Sequence, residues 1–61
     1  MGKRLKRLRV AKRMSQAMLA ERAGLSREYV NRLEAGQQDP SLTTISALAK
    51  ALGVPVTALL E

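Results

Sequence analysis

Four residues near the middle of the chain carry side chains able to read a chemical pattern: Arg27, Glu28, Asn31 and Arg32. At about 100° per residue, a helix from Ser26 to Ala35 sets Glu28, Arg32 and Ala35 near the centre of one side, with Arg27 and Asn31 along its edge. Ser26, Val30 and Leu33 turn to the other side, inward. Two guanidinium groups, a carboxylate and a carboxamide supply donors and acceptors that base edges in a DNA major groove can meet. The same residues fit a plain solvated face, on which Glu28 and Arg32, four apart in the favoured order, pair with each other. On this helix alone both readings stand.

The elements around it must hold such a helix at an angle. Residues 15 to 36 read SQAMLAERAGLSREYVNRLEAG. A helical pattern from Ser15 to Ala23 stops at Gly24 and restarts at Ser26, because glycine accepts the left-handed conformation and serine caps the next helix. The result is a helix-turn-helix. Ser15 caps the first of the pair, and Gln16 follows in its first turn, where open backbone N–H groups and the positive dipole end suit a phosphate. Leu19, Ala20 and Ala23 form its inner face, and the alanines allow close approach of the next helix. Met18 has no evident core role. Tyr29 lies on the flank of the second helix, placed either to offer its hydroxyl to a phosphate or to sit half-buried with no ligand.

Residues 3 to 13, KRLKRLRVAKR, hold seven basic groups and no acid. Leu5 and Leu8 can dock on a core while Lys3, Arg4, Lys6, Arg7 and Lys12 face solvent. A basic amphipathic peptide for a membrane surface is the rival reading, and its narrow apolar stripe counts against it. After Met14 and the helix-turn-helix, Gly36 and the run QQDP make a polar turn. Ser41 then caps a fourth helix with the inner stripe Leu42, Ile45, Leu48, Ala49 and Leu52, closed by Gly53. Pro55 can open a last short helix, with Val54, Val56, Leu59 and Leu60 supplying apolar area. The expectation is one all-α domain over residues 1–61, with five helices and connections of two to five residues.

Composition narrows the function classes. Eleven Lys and Arg against five Asp and Glu give a net charge of +6, and ten of the eleven basic residues lie within residues 1 to 35. A one-sided basic field attracts polyanions, nucleic acid above all. Cysteine and histidine are absent, so no metal site or cofactor is expected. The acids are scattered, no glycine-rich phosphate loop is present, and an enzyme is not expected. No apolar run approaches the eighteen or so residues of a membrane span. The expected protein is soluble and cytoplasmic, with no membrane partner. With no Phe or Trp in the core, stability of about 5 kcal/mol is expected.

The chain resembles the phage Cro/repressor-type helix-turn-helix regulators, the xenobiotic-response-element class. The matching residues are Arg9, Ser15-Gln16, Leu19-Ala20, Gly24-Leu25-Ser26, Val30, Arg32-Leu33-Glu34 with Gly36, Pro40-Ser41, and Leu48-Ala49 with Leu52-Gly53-Val54. They span almost the whole chain. The resemblance implies a compact, five-helix, lambda-repressor-like DNA-binding domain and a bacterial or phage-encoded, nucleoid-associated transcriptional regulator, a repressor, bound to double-stranded DNA. It implies that Arg27, Glu28 and Arg32 face base edges with Asn31 beside them, that Gln16 next to Ser15 grips a phosphate, and that Gln37 and Gln38 lie along the sugar-phosphate backbone. It also implies an ion pair between Arg9 and Glu34, which an inward carboxylate on the third helix independently requires. Two departures stand out: Arg13 occupies a position where members often carry glycine, and Ala17 and Met18 replace common acids.

On this reading Arg27 and Arg32 make bidentate bonds to guanine, while Lys3, Arg4, Arg7 and Lys12 add salt-dependent affinity. One small domain reads too few base pairs to find a single site, so a homodimer on a palindromic operator is expected. The family pattern places its contact in the C-terminal portion, at Val54, Pro55, Val56, Thr57 and Leu59. No room is seen for a small-molecule effector pocket. The rival is a helix-turn-helix protein-interaction module, such as an antitoxin or an assembly adaptor.

Overall fold

The computed structural model describes residues 1–60, and among them the only regular elements are five helices. They are α1 (Gly2–Ala11), α2 (Gln16–Ala23), α3 (Arg27–Glu34), α4 (Leu42–Leu52) and α5 (Thr57–Leu60). Local chemistry starts them. The hydroxyls of Ser15, Ser26 and Ser41 accept from the amides of Met18, Tyr29 and Thr44 at 3.0, 3.1 and 3.2 Å. Each such cap contributes about 1 kcal/mol. The turn between α2 and α3 is closed by Gly24 at φ 72°, with the Leu25 amide donating to the Ala20 carbonyl at 2.8 Å. Leu25 thereby folds back on the core and swings α3 across α2.

Helix α2 packs against both α3 and α4, α1 against α3, and α4 against α5. Leu5, Leu19, Val30, Leu33, Leu48 and Leu59 are fully buried, and Met14, Ala20, Ile45, Ala49 and Leu52 complete the core. Ala20 and Ala49 are the small residues of α2 and α4 within that core. Burial of a leucine-sized side chain contributes about 1.5–3 kcal/mol, so six of them decide which faces of α1 to α5 point inward.

Several sequence expectations change. Leu42, expected on the inner stripe of α4, is 74% exposed; it lies a full turn ahead of Ile45, where the helix overhangs the edge of the core. Ser26 faces solvent, because a capping hydroxyl sits at the open end of its helix. Met14 is buried rather than a plain connector. The last helix begins at Thr57, two residues after Pro55, whose carbonyl accepts from the Ala58 amide. Leu60 is exposed while Leu59 is 1% exposed, so Leu59 is a core residue and its side chain is not available as a dimer contact.

Two backbone details fix α1. A Cβ at Gly2 would stand 2.6 Å from the Leu33 carbonyl oxygen and 2.8 Å from that of Glu34, so only glycine permits this close approach. The positive end of α1 is thereby set against the negative end of α3, a favourable dipole arrangement. At the other end Arg13 adopts φ 58°, the left-handed region that costs an L-residue about 1–2 kcal/mol.

Candidate nucleic-acid interface

Arg27, Glu28, Asn31 and Arg32 are all exposed, whereas Val30 and Leu33 on the opposite side of α3 are buried. The helix is thus divided lengthwise into an anchored side and an open one. Among the described residues the single ion pair within 4 Å joins Arg9 to Glu34, so Glu28 and Arg32 do not neutralise each other despite their spacing. Both guanidinium groups on α3 stand open to water, where an incoming polyanion or base edge can take them.

Beneath that open side runs a polar network. Arg9 donates from Nε to Glu34 Oε2 at 2.6 Å, from Nη2 to Glu34 Oε1 at 3.1 Å, and from Nη1 to the Met14 carbonyl at 2.6 Å. The side chains of Arg9 and Glu34 are 11% and 4% exposed. This bidentate pair brings α1, the turn after it and the end of α3 to one point, and a charge-assisted fork of this kind holds direction as well as distance. Gln16 Nε2 extends the network outward, donating to Glu34 Oε1 at 3.1 Å and to Asn31 Oδ1 at 3.4 Å. No buried side-chain polar atom among the described residues lacks a partner.

The other candidates fall in separate places. Ser15 is exposed, with its hydroxyl engaged as the α2 cap. The side-chain donors of Gln16 are engaged within the protein, which leaves its own backbone amide and that of Ala17 as the open donors at the start of α2. Tyr29 is half-buried and packs its ring against the core. Gln37 and Gln38 are exposed beyond α3, where the Gln37 amide donates to the Arg32 carbonyl at 2.9 Å. Lys12 caps the end of α1 in solvent.

Lys3, Arg4 and Arg7 line a hollow of about 220 Å³ together with Met1, Leu59 and Leu60. Three of the five cationic residues of α1 therefore adjoin α5. Around the same end Pro55 and Thr57 are exposed, while Val54 and Val56 are half-buried against the core.

Two structural contributors had little sequence signal. The Met14 carbonyl serves as the third acceptor for Arg9, which a reading of side chains cannot show. Gly2 is marked only by its position one residue before the basic run that starts at Lys3. Among the described residues there is no group of three or more acids that could hold a metal, and no helix is long and apolar enough to cross a membrane.

The helix-turn-helix family profile matches residues 5–59. The chain is 43% identical over 58 residues to the immunity repressor protein of Bacillus phage phi105, covering 95% of this chain and 40% of the repressor. It is 38% identical over 61 residues to control protein C.BamHI of Bacillus amyloliquefaciens, covering 98% of this chain and 75% of that protein. Its fold superposes on the crystal structure of the restriction-modification controller protein C.AhdI from Aeromonas hydrophila with a TM-score of 0.94 and 46% identity, over 95% of this chain and 88% of the other. The chain thus spans less than half the length of the phage repressor it matches.

Proposed function

The chain belongs to the helix-turn-helix family of DNA-binding transcriptional regulators, which are not enzymes, and we propose that it binds double-stranded DNA sequence-specifically with α3 in the major groove. The observation that carries this reading is the open, unneutralised pair Arg27 and Arg32 on a helix whose other side is locked by buried Val30, Leu33 and the Arg9–Glu34 fork. Arg27 and Arg32 take guanine O6 and N7, and Asn31 and Glu28 meet neighbouring bases. The open backbone amides of Gln16 and Ala17 at the start of α2, together with Ser15, Tyr29, Gln37, Gln38 and Lys12, position the protein on phosphates. Lys3, Arg4 and Arg7 add charge that acts at longer range.

Residues 1–61 act as one DNA-binding domain, and two copies form a homodimer on a palindrome. The body is about 23 Å across, less than the 34–36 Å between the centres of half-sites one helical turn apart, so two copies can occupy adjacent half-sites without overlap. Val54, Pro55, Val56 and Thr57, joined by exposed Leu60, provide the contact. The activity is repression of transcription in the cytoplasm of a bacterium, without a small-molecule effector. An interaction module of the antitoxin or adaptor kind is not favoured, since it has no use for two open arginines on α3.

Selection of bound sites from a random duplex library tests the reading. It predicts a palindromic motif with guanine in each half-site, and sedimentation shows two chains per selected duplex. A library that yields no enriched sequence at moderate salt rejects it.

A further inference from the structure

We infer that Glu34 sets, through Gln16, which end of the Asn31 carboxamide faces outward, so that Asn31 reads bases as a donor. Glu34 is a positioning residue in this scheme, and the scheme rests on the DNA-binding reading given above. A carboxylate can only accept, and Glu34 Oε1 stands 3.1 Å from the Gln16 amide. Gln16 must therefore turn Nε2 toward it, since the flipped amide would place oxygen against oxygen. The second hydrogen of Nε2 is then directed at Asn31, 3.4 Å away, which must answer with Oδ1. A flipped Asn31 would oppose donor to donor. Its Nδ2 is left as the group that points away from the network.

Arg9 anchors the series at the buried end, holding Glu34 by two hydrogen bonds and itself by a third to Met14. The polarity of an exposed side chain is thus dictated by a buried ion pair, whose cation lies three links away. A side chain that offers N–H outward favours guanine or thymine, whose groove edges carry O6 and N7 or O4 with no donor; adenine offers N7 beside its N6 donor and ranks below them, and the N4 donor of cytosine opposes it. The free amides of Gln37 and Gln38, exposed in the loop, have no such constraint.

Site selection with the wild-type chain, Gln16→Ala and Asn31→Asp tests this directly, because both variants leave the Arg9–Glu34 fork intact and a thermal melt checks that each is folded. The wild type is expected to show one position per half-site preferring guanine or thymine. Gln16→Ala lowers that preference by about fivefold, the worth of one hydrogen bond, and leaves the positions read by Arg27 and Arg32 unchanged. Asn31→Asp turns the same position toward cytosine or adenine. A motif that both variants leave unchanged at every position overturns the relay while the DNA-binding reading stands. A wild-type chain that enriches no duplex overturns both.

Discussion

Arginine and glutamate meet on both sides of α3, and the two sides use them in opposite ways. On the outer side Glu28 and Arg32 are four residues apart, within easy reach, and make no ion pair. On the inner side Arg9 and Glu34 are 25 residues apart and join at 2.6 Å. Water explains the contrast. An exposed pair gains only about 0–1 kcal/mol by closing, so the outer charges stay available to a ligand. A carboxylate removed from water without a partner costs several kcal/mol, so the inner pair has no alternative to closing. On the proposed DNA-binding reading, stability and recognition fall on opposite faces of one eight-residue helix.

The largest test of that division is Glu34→Ala. It leaves Arg9 with Met14 as its remaining acceptor and is expected to cost about 3–5 kcal/mol, nearly the whole stability of a domain this small. A melting temperature equal to that of the wild type would erase the distinction between the two faces. Arg32→Ala sharpens it from the other side. Its melt should move by less than about 0.5 kcal/mol, while competition between duplexes loses about 1–3 kcal/mol of discrimination. A substantial loss of stability there would mean that the outer face is structural as well.

Lys3→Ala extends the comparison to α1. It should weaken all duplexes alike and reduce the slope of log affinity against log salt by less than about 1, the value for a direct phosphate contact, and a sequence-dependent effect would place Lys3 among the readers. The smallest change is expected from Arg13→Gly. Relief of about 1–2 kcal/mol of left-handed strain is offset in part by about 0.4–1 kcal/mol of added freedom in the unfolded chain. A net gain of about 0.5 kcal/mol should appear as a higher denaturation midpoint. A lower midpoint would show that the Arg13 side chain contributes more than its backbone costs.

Most of the fold was legible because its determinants are local. Ser15, Ser26 and Ser41 announce three helix starts, and the caps form with hydroxyls three residues before the amides they accept. Gly24 and Gly53 announce two stops. The periodicity of Ile45, Leu48, Ala49 and Leu52 identifies the inner face of α4. It also wrongly included Leu42, since a helical period gives the face of a residue and says nothing about where the partner helices end. Leu59 was misassigned for a related reason. In a four-residue helix, adjacent leucines can exchange core and surface roles with a small rotation, and only the packing of α5 on α4 puts Leu59 inside and Leu60 outside.

The site divides in the same way. The types and spacing of Arg27, Glu28, Asn31 and Arg32 were sufficient to name the outer face of α3, because a helix places residues by number alone. Whether Glu28 and Arg32 pair was open in the sequence; in the folded chain they do not. The series from Arg9 through Glu34 and Gln16 to Asn31 joins three helices, and its contacts span 25, 18 and 15 residues.

By itself, then, the amino-acid sequence determined where α2, α3 and α4 begin, where α2 and α4 stop, most of the apolar face of each, that charge concentrates in the first 35 residues, and which side chains could address a base. These follow from backbone chemistry and residue spacing within a few positions of one another. Tertiary structure alone decided that Gly2 touches the end of α3, that the Met14 carbonyl completes the shell of Arg9, and that Lys3, Arg4 and Arg7 gather beside α5. Each depends on the angle and distance at which two helices meet. That geometry is set by the volume of the side chains packed between them, a quantity no local pattern contains.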